Sequence, residues 1–174
     1  MSTSFTIRPA VPQDAAAINA LNREIADEPN NNVLWGAGEY TRTVEDERLI
    51  IEERAAAENS TTLIAVSADN KVVGLLACYG GKRQAMRHTA GIGIHVQKDW
   101  RDKGVGTALM NAVVDWARTN PVIHRLELDV FTDNARAVHV YENVGFVAEG
   151  IKRHMYRKED GFKDVLMMAM VFLR

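Results

Sequence analysis

A short turn past the middle of the chain carries the residues best suited to hold an anion. Gly104 and Gly106 lie in this turn, and Arg101 and Lys103 add positive charge beside them. A helix that starts here has unpaired backbone N–H groups and the positive end of its dipole in its first turn. Because glycines lack the Cβ atoms that would keep an anion at a distance, the turn is typical of a phosphate or pyrophosphate site.

The glycines alone do not decide the matter, since two glycines before a helix are common in ordinary loops. A P-loop requires G-x-x-x-x-G-K-[S/T], which this sequence does not contain. A dinucleotide-binding fold requires a third glycine and places the motif after the first strand. Here the third glycine is missing, so neither of these two phosphate-binding folds fits.

The residues on both sides of the turn predict the elements that position it. Ile92, Ile94 and Val96 alternate with Gly93 and His95, which indicates a strand. After the turn, apolar residues recur at helical spacing and form one stripe: Val105, Ala108, Leu109, Ala112, Val113 and Trp116. A buried strand therefore leads through the turn into the first residues of an amphipathic helix.

The rest of the chain alternates between strand and helix patterns. Strands are predicted over 5–8, 62–67, 71–79, 89–96, 125–131, 147–157 and 163–172, and helices over 12–27, 43–59, 105–118 and 134–143. Asp69 and Asn70 predict the turn of a hairpin. We expect one mixed α/β domain over residues 1–174, with helices packed on a sheet.

Composition excludes several functional classes. The net charge of -2 gives no electrostatic case for nucleic-acid binding, and no apolar run is long enough to cross a membrane. Residues Met1–Phe5 lack the pattern of a signal peptide, and Cys78 as the single cysteine fits a reducing cytoplasm. The five histidines have no spacing typical of metal ligands, so we expect no metal.

Two motifs together resemble those of the GNAT superfamily of N-acetyltransferases. Arg101-x-x-Gly104-x-Gly106 resembles the family's acetyl-CoA signature, R/Q-x-x-G-x-G/A. Asn134-x-x-Ala137-x-x-x-Tyr141-x-x-x-Gly145-Phe146 resembles its downstream motif. The resemblance implies a mostly antiparallel sheet of about seven strands with about four helices. It also implies that the sheet is splayed between the fourth and fifth strands, where the cofactor enters.

The resemblance further implies acetyl-CoA as the co-substrate and assigns residues to it. The backbone amides of the turn are expected to hold the pyrophosphate, and the strand before it is expected to bind the pantetheine arm. The expected cofactor-binding residues are His95, Val96, Arg101, Asp102, Lys103, Gly104, Val105, Gly106, Thr107, Asn134 and Ala137.

Tyr141 is the predicted general acid. A phenol with a pKa near ~10 is protonated at neutral pH and can donate a proton to a leaving thiolate. Asn134, Ala137 and Tyr141 share one helix face, because they are three and four residues apart. A core tyrosine would be the simpler interpretation without the surrounding motif.

The general base is less well defined. Many small-molecule GNAT enzymes carry Glu or Asp on the strand before the turn, and this sequence has Gly91 at that place. Asp129 matches a position that holds Glu in the branch that acetylates ribosomal-protein N-termini, and it is the predicted base. His88 and Glu127 are weaker alternatives, and a chain of water molecules is another.

The segment between the first two helices helps to wall the acceptor site in this family. Trp35, Glu39 and Tyr40 are therefore predicted to contact the substrate, together with His88. The alternative for the loop residues is that they anchor the two helices to each other.

These features predict an acetyl-CoA-dependent N-acetyltransferase of the bacterial small-molecule type. The acceptor is expected to be an amino acid, a polyamine or a related primary amine, which attacks directly in a ternary complex. Two alternatives stay open: a protein N-terminal or lysine acetyltransferase, and a non-catalytic acyl-CoA-binding module. The family often forms homodimers, but the sequence indicates no interface.

Overall fold

The computed structural model of the chain describes residues 4–173, so most of the segment considered for a signal peptide, Met1–Thr3, lies outside it. The strands are β1 (Phe5–Pro9), β2 (Thr61–Ser67), β3 (Val72–Gly80), β4 (Thr89–Val96), β5 (Arg125–Phe131), β6 (Val147–Lys158) and β7 (Gly161–Val171). The helices are α1 (Ala15–Ala26), α2 (Val44–Ala56), α3 (Val105–Thr119) and α4 (Ala135–Val144).

The strands form one mixed sheet in the order β1-β2-β3-β4-β5-β7-β6. Only β4 and β5 run parallel, and they pair over three residues each, Thr89–Gly91 against Arg125–Glu127. Beyond Gly91 and Glu127 the two strands separate. The predicted seven-stranded sheet with a splay between its fourth and fifth strands is therefore confirmed.

The helices cover both faces of the sheet. Leu75 of β3 packs with Ile18 and Ile25 of α1 in one apolar cluster. A Cβ atom at the neighbouring Gly74 would lie 2.9 Å from Val105 of α3. Since successive strand residues point to opposite faces, α1 and α3 lie on opposite sides of β3. The sheet therefore has an α1–α2 side and an α3–α4 side, named after the helices that cover each face. The gap between β4 and β5 connects the two sides.

Two helix predictions differ from the structure in detail. The segment predicted to open the first helix is a separate 3₁₀ turn, Pro12–Asp14. The Asp14 carboxylate accepts hydrogen bonds from Arg8 and from the Val11 amide, which hold this turn outside the α-helix. In α3 the buried face includes Met110, Val114 and Ala117 beside Val105, Leu109 and Val113, so it is wider than the predicted stripe.

Cys78 is fully buried in β3, and burial raises the pKa of its thiol to about 12. The thiolate is the reactive form of cysteine, so a buried thiol with a raised pKa is a poor nucleophile. Among residues 4–173, no helix is both long and apolar enough to cross a membrane.

Candidate active site

One large cavity passes through the splay of the sheet. Its volume is about 950 Å³, and residues from both faces line it. On the α3–α4 side its wall includes Gly106, Ala137 and Tyr141, and on the α1–α2 side it includes Glu47 and Arg54. A ligand on one side can therefore reach a ligand on the other side only through the gap between β4 and β5.

The N-terminus of α3 presents unpaired backbone amides to this cavity. Its first intrahelical hydrogen bond runs from the Ala108 amide to the Gly104 carbonyl, so the preceding amides have no partner within the helix. Gly104 has φ +83°, a left-handed conformation that favours glycine. At Gly106 a Cβ atom would meet only Val96, at 4.0 Å, so protein packing does not require glycine there. The open space belongs to the cavity.

Arg101 holds the turn in place through protein contacts. Its Nη2 donates to both oxygens of Glu28, at 2.8 and 2.6 Å, and its Nε donates to the Val96 carbonyl at 2.9 Å. The side chain that the sequence offered as an anion ligand is thus already paired with a carboxylate. Arg136 of α4 reaches Asp102 at 3.1 Å and ties α4 to the same turn.

Tyr141 lies on α4 with only 8% of its surface exposed, and it lines the cavity. Burial raises the pKa of its phenol to about 12. Within residues 4–173 its hydroxyl has no hydrogen-bond partner. Asn134 starts α4, where its Oδ1 accepts from the Ala137 amide at 3.3 Å. Its side-chain NH₂ stays available to the cavity.

The ring of Tyr79 lies over Gly91, the strand position where many small-molecule GNAT enzymes carry a carboxylate. A Cβ atom at Gly91 would lie 2.6 Å from Cε2 of Tyr79 and 3.1 Å from its hydroxyl oxygen. Tyr79 is 52% exposed and lines the cavity, and burial of part of its ring raises the pKa of its phenol. Gly91 therefore allows Tyr79 to lie over β4 at the last pair before the splay.

Both carboxylates of β5 that line the cavity are paired with cations. Asp129 accepts a hydrogen bond from Lys152 of β6 at 2.8 Å, and both residues line the cavity. Arg125 joins Glu127, at 2.9 Å, to Glu149. Asp129 is thus placed on the cavity wall, with an ammonium group beside it.

A hydrogen-bonded chain of buried polar groups connects β4 with α1 and α2. His95 Nε2 donates to Asn22 Oδ1 at 2.7 Å, and Asn22 Nδ2 donates to the Tyr40 hydroxyl at 2.7 Å and to Glu47 Oε1 at 3.3 Å. Burial, assisted by the charge of Arg101, lowers the pKa of His95 to about 4. Burial raises the pKa of Glu47. The imidazole is therefore neutral near pH 7.

Three charged residues on this side were not predicted from the sequence, and all of them line the cavity: Arg42, Glu47 and Arg54. A signal for two of them was present, because Glu47, Ile51 and Arg54 follow the spacing i, i+4, i+7 and so share one helix face. Ile51 is 2% exposed, which makes that face the buried one. Charged residues on a buried face point to a polar site.

The structure brings most of the predicted site residues to the cavity, but not all. Besides Tyr141 and Asp129, the residues that line it are His95, Val96, Arg101, Asp102, Gly104, Gly106, Thr107, Asn134, Ala137 and Trp35. Five predicted residues do not line it: Glu39, Tyr40, His88, Lys103 and Val105.

Each of these five has another environment. Val105 belongs to the core, Lys103 lies over the Trp100 ring, and Glu39 accepts from the Gly36 amide in an exposed turn. Tyr40 is 4% exposed and packs edge-on against Trp35. The His88 carbonyl accepts from the amides of the segment that enters β5, and its side chain is exposed.

No group of three or more His, Cys, Asp or Glu side chains in the described residues could hold a metal ion.

Comparisons with known proteins agree on one family. Residues 23–146 match the acetyltransferase (GNAT) family. The chain is 32% identical to the L-amino acid N-acetyltransferase AaaT of Escherichia coli over 120 residues, which are 69% of this chain and 74% of that protein. It is 34% identical to the [ribosomal protein bS18]-alanine N-acetyltransferase of Salmonella typhimurium over 77 residues, 44% of this chain and 51% of that enzyme.

A solved structure described as the acetyltransferase of GNAT family from Streptococcus pneumoniae has the same fold. It superposes with a TM-score of 0.91 at 29% sequence identity, covering 98% of this chain and 100% of that one.

Proposed function

This chain belongs to the GNAT family of acetyltransferases, and on that premise we propose that it transfers an acetyl group from acetyl-CoA to the primary amine of a small molecule. The amine nitrogen attacks the acetyl carbonyl directly while both substrates are bound. A C–N bond forms, and the C–S bond to CoA breaks. One proton leaves the amine, and one is delivered to the departing sulfur.

One observation carries the proposal: a single cavity joins the free amides of α3 to a charged wall on the opposite face of the sheet. Two substrates that enter from opposite faces of the sheet meet at the splay between β4 and β5. Gly93 of β4 has no side chain that would fill this gap. Holding two reactants in such a geometry removes much of the entropic barrier to reaction.

The residues of the α3–α4 side fit the chemistry of a CoA thioester. The amides of Gly106 and Thr107 suit a pyrophosphate, which the helix dipole also favours. Val96 and Ala137 give apolar walls for the pantetheine arm, and the NH₂ group of Asn134 is a donor beside it. The bound thioester supplies the activated acetyl group.

Tyr141 is our candidate for the general acid. Its pKa of about 12 keeps the phenol protonated over the whole physiological range. A hydroxyl that is open to the cavity and has no protein acceptor can donate to a thiolate that forms there. The environment of Tyr141 therefore supports the general-acid role that the motif implied.

Asp129 is our candidate for the group that accepts the amine proton, directly or through water. It lines the cavity from β5, and its carboxylate stands next to the Lys152 ammonium. Gly91 supplies no carboxylate, and the ring of Tyr79 covers it. Glu47 is the other carboxylate to test, because burial raises its pKa toward the range of an effective base.

A protein N-terminus is the second candidate acceptor. The likeness to the ribosomal-protein alanine acetyltransferase favours it, although this likeness spans only about half of each chain. A protein acceptor requires an open groove that admits an extended peptide, whereas a small amine requires only the cavity. A comparison of turnover on small amines and on basic peptides separates these two candidate acceptors.

We also propose a cytoplasmic location for the enzyme. The free thiol of Cys78 suits a reducing compartment, and acetyl-CoA is the donor that the proposed reaction consumes.

The test is the release of free CoA thiol from acetyl-CoA with a panel of amino acids, polyamines, aminoglycosides and basic peptides. We expect turnover on one class of small amine. Tyr141→Phe should lower kcat by about 100-fold or more, because general acid catalysis contributes on that scale. Tyr156→Phe, which also changes a cavity tyrosine, is the matched control and should leave kcat within about threefold. Turnover on peptides alone would favour the protein acceptor.

A further inference from the structure

The α1–α2 side of the cavity contains a cation that lacks a carboxylate partner. Arg54 of α2 is half-buried and lines the cavity. Its one hydrogen bond runs from Nη1 to the Thr62 hydroxyl at 3.4 Å, and no carboxylate within residues 4–173 comes within 4 Å of it. Arginine stays charged in proteins, so a guanidinium in this position can bind an anion that enters the cavity.

Arg42 adds a second positive charge to the same wall. Its closest carboxylate oxygen is Oε1 of Glu47, at 3.9 Å, and Glu47 is also held by Asn22. Burial lowers the pKa of Arg54 and the charge of Arg42 lowers it further, while the more distant charge of Glu47 acts in the opposite direction. Two cations thus face the cavity with one carboxylate between them.

The carboxylates elsewhere on the cavity wall are bound to other cations, so none of them pairs with Arg54. Glu28 is bound to Arg101, Asp129 to Lys152, and Glu127 and Glu149 share Arg125. Because Glu127 and Glu149 share one cation, the Arg125 cluster carries one excess negative charge. The group of Arg42, Arg54 and Glu47 carries one excess positive charge instead, and this charge lies on the α1–α2 side.

Arg54 also lies close to the place of reaction. Its charge acts on Tyr79, whose ring lies over Gly91 at the last β4–β5 pair before the splay. An acceptor whose amine reaches the splay can therefore present another group to Arg54 in the same cavity.

We propose that Arg54, with Arg42 beside it, binds the carboxylate of the acceptor, so that the substrate of this enzyme is an amino acid or a similar amine that carries a carboxylate. The inference rests on the proposed function and narrows its acceptor class. Polyamines and other purely cationic amines are disfavoured, since they would bring positive charge to an already positive wall. A guanidinium and a carboxylate can form two parallel hydrogen bonds, which fixes the orientation of the amine.

The test compares two acceptors that differ only in the carboxylate. One is the amino acid with the highest kcat/KM in the panel, and the other is the amine left when its carboxyl group is replaced by hydrogen. We expect wild type to prefer the amino acid by about 10- to 100-fold in kcat/KM, the range of a charge-assisted contact. In Arg54→Gln this preference should fall to within about threefold, mainly through KM of the amino acid.

Two controls separate this result from a general loss of structure. Arg48→Gln changes an arginine of the same helix whose partners are Glu45 and Glu52, and it should keep the preference. The rise in Tm caused by acetyl-CoA should be the same in Arg54→Gln as in wild type. Arg54→Lys keeps the charge without the fork-shaped donor group and should give an intermediate preference.

The outcomes distinguish the inference from the function on which it rests. No acetylation of any amine by wild type would overturn the proposed function together with the inference. Acetylation of the amino acid and of its decarboxylated analogue at equal kcat/KM would overturn the inference alone. So would a loss of rate in Arg54→Gln that is equal for the two acceptors.

Discussion

The two sides of the cavity are built by different means. On the α3–α4 side, binding groups are backbone amides of a short contiguous segment that includes Gly104 and Gly106, supported by a turn that Arg101 holds. On the α1–α2 side they are polar and charged side chains from separate elements, such as the neutral His95 of β4 and the cationic Arg54 of α2. Backbone groups bind what all members of a family share, whereas side chains can change with the substrate.

This difference indicates that specificity for the acceptor lies in the side chains of the α1–α2 side. The free backbone amides at the N-terminus of α3 form an amide seat for the cofactor. This seat depends on backbone geometry that glycine permits, so it tolerates few residue types. The acceptor wall depends on which side chains α1 and α2 present, and each can be replaced without altering the sheet. Changes on the two sides should therefore affect different kinetic constants.

The largest expected effect comes from blocking the amide seat. In Gly106→Glu a negative side chain enters the open space beside Val96, where it repels phosphate groups. We expect the affinity for acetyl-CoA to fall by about 100-fold, or about 2.7 kcal/mol, while the Tm of the free protein stays nearly unchanged. Isothermal titration calorimetry measures the affinity.

Gly106→Ala is the matched control for this change, since a single methyl group meets only Val96 at 4.0 Å. It should bind acetyl-CoA within about threefold of wild type. Equal affinity in Gly106→Glu would remove the phosphate seat from the α3 N-terminus.

A second prediction concerns the buried chain of hydrogen bonds on the α1–α2 side. His95 has a pKa of about 4 in the folded protein against 6.5 for an ordinary histidine. Between these values the unfolded chain binds a proton that the folded chain does not, so stability falls as the pH falls through this window. From pH 7 to pH 5 we expect His95 to cost about 2 kcal/mol of unfolding free energy.

Urea unfolding at the two pH values measures this contribution. His95→Gln, which does not titrate here, should show a pH-dependent loss smaller by about 2 kcal/mol. His139→Gln, which changes an exposed histidine of α4, should keep the wild-type loss. An identical loss in His95→Gln and wild type would mean that folding does not lower the pKa of His95.

The smallest effect is expected where Tyr79 lies over Gly91. Alanine in place of glycine in a strand normally stabilises by about 0.5–1 kcal/mol. Here the added Cβ would lie 2.6 Å from the Tyr79 ring, so Gly91→Ala should instead destabilise by about 1 kcal/mol as the ring moves.

A double-mutant cycle with Tyr79→Ala measures the coupling. In the Tyr79→Ala background the same Gly91→Ala change should become stabilising. Additive effects would show that Tyr79 does not occupy the place of the missing carboxylate.

The same contrast explains what the sequence could predict. The strand–turn–helix around Gly104 is local, so spacing alone indicated the elements and the amide seat. The splay followed from the family resemblance. The contacts of Arg101 with Glu28, 73 residues away, depend on how the chain folds back and have no local signal.

The acceptor wall illustrates the limit of local patterns. Glu39 and Tyr40 were predicted to contact substrate because their loop adjoins the site, but Tyr40 packs on Trp35 and Glu39 turns back on its own loop. The spacing of Glu47, Ile51 and Arg54 did contain the relevant signal. A charged residue on an otherwise buried helix face therefore indicates a polar site, as a glycine motif indicates a phosphate site.

The most direct test of the two-sided account is a comparison of steady-state kinetics in Gly106→Glu and Arg54→Gln with the preferred amino acid and acetyl-CoA. We predict that Gly106→Glu raises KM for acetyl-CoA at least about tenfold and leaves KM for the amino acid nearly unchanged. Arg54→Gln should do the reverse. If each variant raised both KM values to the same extent, the division of the cavity into a cofactor side and an acceptor side would be wrong.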